Sequence, residues 1–148
     1  MKEELQRKLY EKYPILSNLA FDKEMNNTPL AWDGITCNDG WYNIINTLCN
    51  EITKHLQLLN ISNVTNDKFT CNVQQIKEKF GGLRFYIDSA DDYIYELIDK
   101  AESTSEVVCE LCGSIKNIGK TKGWITTMCK SCYNVTKDTR KWHPIGDK

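Results

Sequence analysis

Nothing in this sequence of 148 residues approaches the run of about 20 apolar residues that a membrane-crossing helix needs. The opening stretch Met1-Lys2-Glu3-Glu4-Leu5-Gln6-Arg7-Lys8 also lacks the apolar core of a secretory signal. Both absences predict an intracellular chain in a reducing compartment. Histidine is scarce, with two in the chain, and there is no G-x-G-x-x-G, P-loop, H-E-x-x-H or G-x-S-x-G motif. A catalytic carboxylate cluster would have to be assembled by folding from Asp33, Asp39 and Glu78, whose plainer roles are turn residue, helix cap and partner for a Lys or Arg. The missing motifs weigh against turnover and in favour of recognition. Internal repeats and low-complexity tracts are missing too, so the length fits one ordinary domain, or one domain with an appendage.

Charge of one sign is also lacking, since the formal net charge is −1, which argues against a protein that coats nucleic acid nonspecifically. The balance hides a segregation. From Asp88 to Glu110 there are eight acids against Lys100, and from Gly113 to Lys148 eight bases against Asp138 and Asp147. Two readings compete: the segments neutralise each other across the fold, or the basic one is a nucleic-acid patch.

What the sequence does have is cysteine, seven in all. Cys109 and Cys112 form one C-x-x-C pair, and Cys129 and Cys132 form a second after sixteen intervening residues. Each pair sets two sulfurs on a tight knuckle, and two knuckles together supply four thiolates to one tetrahedral ion. Gly113 stands where such a knuckle often needs positive φ, and 122–128 can deliver the second pair on a short strand. Two disulfides would need an oxidising compartment and would leave an odd cysteine over. The spacing therefore predicts one structural zinc per chain, with iron as the rival metal for four sulfurs. Such a site leaves no coordination position for water. Cys37, Cys49 and Cys71 have no partner at ligand spacing and read as small buried hydrophobes. His143 is a replacement ligand only if one cysteine is not used.

Along the chain, Leu5, Leu9 and Tyr13 mark a short amphipathic helix ended by Pro14. From Ile15 to Asn38 the pattern is irregular, with a turn at Asn26-Asn27-Thr28-Pro29, and Trp32 and Trp41 bracket a loop rich in Gly and Asp. Asp39 or Asn38 then caps the strongest helix, over about 41–59, where Trp41, Ile44, Ile45, Leu48, Ile52, Leu56 and Leu59 recur at helical spacing. His55 beside this stripe reads as a packed boundary residue. Beyond a polar linker at 60–68 the period changes to two, through Phe69, Cys71 and Val73. Residues 76–80 and 83–87 flank Gly81-Gly82 and read as a β-hairpin with Phe80 opposite Leu83 and Ile76 opposite Ile87. Its polar face carries Lys77, Lys79, Arg84 and Tyr86, and like charges at Lys79 and Arg84 would face each other unless a carboxylate or other anion sits between them. Ser89 and Asp92 suggest a capping box for a second helix over about 90–104. The predicted fold is α+β, with a central amphipathic helix and a second helix packed on a small antiparallel sheet. Domain boundaries are predicted at 1–106 for this core and 107–148 for a C-terminal zinc ribbon with a polar tail.

Four segments together carry a family resemblance: 32–41, WDGITCNDGW; 76–86, IKEKFGGLRFY; Ala101-Glu102-Ser103 with 109–113, CELCG; and 123–129, GWITTMC. The combination resembles a family of small uncharacterised proteins of tailed bacteriophages and prophages, over about residues 5–132. Relatives often end the second knuckle with histidine where this chain has Cys132. The resemblance implies a phage accessory protein in the bacterial host cytoplasm that acts on the host, including its antiviral defences.

Two functional expectations follow. In the first, the chain binds and neutralises a host factor, either a defence protein or a signalling nucleotide held by Lys77, Lys79, Arg84 and Tyr86 with Trp32 and Trp41; against it stands the reading that these aromatics are core and the cations solvated. In the second, the ribbon binds nucleic acid or the transcription machinery through Lys116, Lys120, Lys122, Lys130 and Trp124.

Overall fold

The computed structural model describes residues 1–16, 28–62 and 70–146. The elements in order are α1 (Glu3–Lys12), α2 (Pro29–Asp33), β1 (Ile35–Thr36), α3 (Tyr42–Ser62), β2 (Val73–Lys79), β3 (Gly82–Ile87), α4 (Asp92–Ser105), β4 (Ile118–Thr121), β5 (Thr127–Cys129), α5 (Lys130–Thr136) and β6 (Trp142–Pro144). This is an α+β fold with two small sheets, ordered β1-β2-β3 and β5-β4-β6, and a C-terminal cluster of four cysteines consistent with a zinc ribbon. Among the described residues no helix is long and apolar enough to cross a membrane.

The helical period becomes burial: Trp41 just ahead of α3 and Ile45, Leu48, Cys49, Ile52 and Leu56 within it all enter the main core, a large apolar side chain contributing about 1.5–3 kcal/mol. Leu9 from α1 and Tyr13 at its C-cap join them, and Tyr13 donates its hydroxyl to the Asn46 carbonyl at 2.9 Å. The expected cap of α3 is a correction. Asp39–Trp41 form a 3-10 turn ahead of the helix without a side-chain cap from Asn38. Asp39 instead accepts the Lys2 backbone N–H at 2.8 Å, and Asn38 reaches forward to Glu110.

The stretch expected to be loop contains α2, which starts at the described end of the predicted turn. Thr28 Oγ1 accepts the Ala31 N–H at 3.2 Å, Pro29 occupies the first turn, and Gly34 ends it. A helix of five residues is too short for a period to show. Asn26, Asn27, Phe69 and most of the 60–68 linker lie outside the described residues.

The first sheet is mixed, since β1 pairs parallel with β2 through Ile35 opposite Ile76. The hairpin exists, but its register differs from the expected one. Lys79 pairs with Gly82, Lys77 with Arg84 and Ile76 with Phe85, so the turn residues are Phe80 and Gly81. Both have positive φ, +52° and +77°, as a tight turn of the primed type requires. The two registers differ by a shift that leaves every side chain on its own face, so alternation cannot choose between them. A β-bulge between Val73 and Gln75 lets Val73 and Ile76 both point into the core.

Helix α4 covers the outer edge of β3. Ser105 Oγ accepts the Leu83 N–H at 2.8 Å and Glu102 accepts the Phe85 N–H at 3.0 Å, so the sheet edge is closed by side chains. The cap of α4 is Asp91, which accepts the Ile94 N–H at 2.9 Å; Ser89, the expected cap, donates to the Thr70 carbonyl. His55 is the boundary residue the sequence suggests, bonded to Asp91 at 2.6 Å.

Candidate metal centre

Two different local structures deliver the sulfurs. Cys109 and Cys112 lie on the turn after α4, where the Gly113 N–H donates to the Cys109 carbonyl at 2.8 Å and Gly113 has φ +77°. Cys129 ends β5 and caps the short helix α5, its sulfur accepting the Cys132 N–H at 3.4 Å. The four ligand atoms all lie within 4.8 Å of one another and can hold a metal ion. Cys109 and Cys129 are buried while Cys112 is exposed, so the centre opens to solvent on one side. Ile118 and Met128 are the buried apolar residues beside it, and Trp142 lies along it, donating its indole N–H to the Met128 carbonyl at 3.0 Å.

The first knuckle is seated on the core through Gly40. Gly40 N–H donates to the Glu110 carbonyl at 2.7 Å, and a Cβ on Gly40 would stand 2.2 Å from the Cys109 carbonyl oxygen. Only glycine permits that approach. On one side Trp41 donates its indole N–H to the Val108 carbonyl at 3.0 Å; on the other the Asn38 backbone and side-chain N–H groups both reach Glu110 Oε1, at 3.1 and 2.9 Å. Burial pushes the Glu110 carboxyl up, against the pull of the Asn38 hydrogen bonds. The second knuckle's strand meets the hairpin turn, where Thr127 Oγ1 donates to the Gly81 carbonyl at 2.5 Å and a Cβ on Gly81 would lie 2.7 Å from Ile125 Cγ2. Gly81 N–H is taken by Glu78 at 2.7 Å. Thus the segments 37–41 and 78–82 form a bed for the ribbon.

The other predicted site residues divide. Lys77, Lys79, Arg84 and Tyr86 share the face expected of them. Arg84, however, stands opposite Lys77 and not Lys79, and is bound to Glu102 at 3.7 Å, while Lys77 lies 5.7 Å from the Tyr86 ring centroid. Trp41 is fully buried in the core and is removed from that site; Trp32 is 58% exposed on α2. Of the ribbon cations, Lys120 pairs with Glu106 at 3.6 Å and Lys130 lies 4.7 Å from the Tyr133 and Trp142 rings, whereas Lys116 and Lys122 are exposed. His143 lies exposed on β6 opposite Lys120, away from the sulfur cluster. Asp33 is exposed, and Asp39 and Glu78 hold backbone N–H groups. Cys37, Cys49 and Cys71 are buried, and burial raises all three thiols, to about 12 for Cys37 and about 11 for Cys71, so they are poor nucleophiles.

Gly40, Glu110 and Phe80 are the residues that sequence reasoning missed. The signal available was that each lies in one of the segments that carry the family resemblance, 32–41, 76–86 and 109–113. The chain matches no protein-family model, no curated protein and no solved structure.

Proposed function

We propose that this chain is a non-catalytic binding protein built on one structural zinc ion, an accessory protein of the tailed-phage class that its sequence resembles, acting in the host cytoplasm by binding a host factor. The observation that carries this reading is the all-sulfur quartet. Four protein thiolates complete a tetrahedral ion and leave no position for a reacting water. The dimensions suit zinc, because Zn–S bonds of about 2.3 Å imply sulfur–sulfur edges of about 3.8 Å, and Cys112 and Cys129 stand 3.7 Å apart. The motifs of the resemblance support a shared build, since Gly40, Trp41, Gly81, Cys109, Glu110 and Thr127 meet at one seam. With Arg84 paired and Trp41 in the core, a host defence protein fits this reading better than a signalling nucleotide held on the hairpin face.

The test is metal analysis of protein purified without chelators, followed by capture of a host component from bacterial lysate before and after chelation. One zinc per chain, with stoichiometric capture that is lost on chelation, is expected. Iron in its place, or far less than one equivalent of zinc, overturns the structural-zinc reading, and the absence of any stoichiometric partner overturns the binding role.

A second reading, nucleic-acid recognition by the ribbon, is favoured by one observation: Trp124 is 77% exposed, with Lys122 exposed two residues before it.

A further inference from the structure

The two turns that meet at the seam each carry an aromatic ring outward. Phe80, at the tip of the β2–β3 hairpin, is 71% exposed and holds a left-handed backbone at φ +52° that only a few per cent of non-glycine residues adopt. Trp124, between β4 and β5, is 77% exposed. Single exposed apolar residues need no explanation, but these two face one slot of about 190 Å³, lined by Glu78, Lys79, Phe80, Gly123, Trp124 and Ile125.

The slot is held rigidly from behind. The Trp124 carbonyl accepts from Thr121 Oγ1 at 2.9 Å and from Arg140 Nη1 at 2.5 Å, and Arg140 is itself clamped by Asp138. On the hairpin side, Gly81 is fixed through both its N–H, by Glu78, and its carbonyl, by Thr127. Exposed rings on pinned backbones cost little further ordering when a ligand binds.

The charges around the slot select the ligand. Lys79 Nζ lies 5.5 Å from the Phe80 ring centroid. Lys122, next in sequence to the slot-lining Gly123, is exposed, and its backbone N–H is bound to the carbonyl of Lys141, a third exposed cation. The Glu78 carboxylate is engaged by Gly81 N–H. Flat π faces with exposed cations beside them match a base next to its phosphates. Both rings are more than two-thirds exposed, whereas a pocket for a small molecule buries most of its ligand, so the fit is to a strand lying across the tips.

We infer that Phe80 and Trp124, flanked by Lys79 and Lys122, form a stacking site for unpaired bases of single-stranded nucleic acid. This deepens the nucleic-acid reading of the ribbon and rests on it. The test is fluorescence anisotropy of the full zinc-loaded chain with labelled DNA and RNA strands of about 12 nucleotides at ~50 mM salt, against the matching duplex and a free mononucleotide. Single strands should bind best. Trp124→Ala and Phe80→Ala should each weaken binding at least about fivefold, Lys122→Ala should flatten the salt dependence, and Trp32→Ala should change nothing. Strand binding that survives both aromatic substitutions overturns the stacking site while leaving the nucleic-acid reading in place. Duplex or mononucleotide binding as tight as the strand also overturns it. No binding of any nucleic acid overturns both, and leaves the slot to a protein partner.

Discussion

The core and the ribbon are held together by different means. Around α3 the cluster of buried residues spans α1, α2, the first sheet and α4, and includes Trp41, Ile45, Ile52, Ile76, Leu83 and Ile94 at no exposure. Around the sulfurs the buried set is Cys109, Ile118, Met128 and Cys129, with four partly buried neighbours. A cluster that small cannot offset the backbone entropy of the chain from Cys109 to Pro144 by apolar burial. The core is stable because of what it excludes from water; the ribbon, with so little apolar burial, is the part whose stability the proposed metal would supply. At the seam, hydrogen bonds to backbone carbonyls attach the second to the first.

Metal removal probes this difference most strongly. Structural zinc contributes on the order of 10 kcal/mol to folding a site of this kind. Chelation should therefore release hydrogen-exchange protection across 109–129 and in β4, while amides of α3 around Ile52 remain protected. Equal loss in both regions would show that the seam fuses them into one cooperative unit. The reverse probe is Trp41→Ala, which removes the largest fully buried side chain and leaves the Val108 carbonyl without its indole partner. A loss of about 3–5 kcal/mol in urea unfolding is expected. Since Trp41 belongs to the core and touches the seam, zinc stoichiometry should survive the substitution. A fall in bound zinc would place Trp41 with the ribbon.

The division also explains what the sequence disclosed. The clustering of Cys109, Cys112, Cys129 and Cys132 was legible by residue number, because coordination chemistry fixes both the residue type and the spacing that such a cluster needs within each knuckle. Helix α3 was legible because its period is long enough to count. The hairpin register was not, since the alternative pairing keeps Ile76, Leu83 and Phe85 on the same face. The seam was hidden for another reason. Its acceptors are the carbonyls of Val108, Glu110 and Gly81, and its space is the missing side chain of Gly40, none of which a hydrophobic pattern records. Trp32 and Trp41 were grouped as binding aromatics, yet Trp41, which also heads the apolar stripe of α3, is buried with its indole bonded to the Val108 carbonyl, while Trp32 is exposed. The charge segregation was partly resolved: Lys120 meets Glu106 across the two segments, while Glu102 is taken by the hairpin through Arg84.

Gly40→Ala tests the seam itself. The added methyl would press on the carbonyl oxygens of Cys109 and Glu110, at 2.2 and 2.5 Å, and neither is the tip of a flexible side chain. The knuckle must back away, at a cost of about 1–3 kcal/mol. The expected signature is a lower urea midpoint with one zinc still bound. An unchanged midpoint would mean that the ribbon does not rest on this glycine.

The smallest effect belongs wholly to the core, and it is set by pH. Burial would raise the Asp91 carboxyl, but its hydrogen bonds from His55 and from the Ile94 N–H prevail and hold it below the usual carboxylate range. A carboxyl lowered in the folded state contributes stability that is present above its unfolded value near 3.9 and is lost as pH falls through the folded one. Asp91→Ala removes the cap of α4 and should cost about 1 kcal/mol at neutral pH. Asp91→Asn keeps a capping oxygen and loses only the charge, so its smaller deficit should begin to shrink as pH drops below the unfolded value near 3.9 and vanish below the lowered folded one. Because Asp91 sits at the far end of α4 from the sulfurs, neither variant should change zinc retention. A deficit for Asp91→Asn that persists in acid would assign the effect to altered packing against His55 and Tyr93, whose rings lie 4.5 Å apart, instead of to charge.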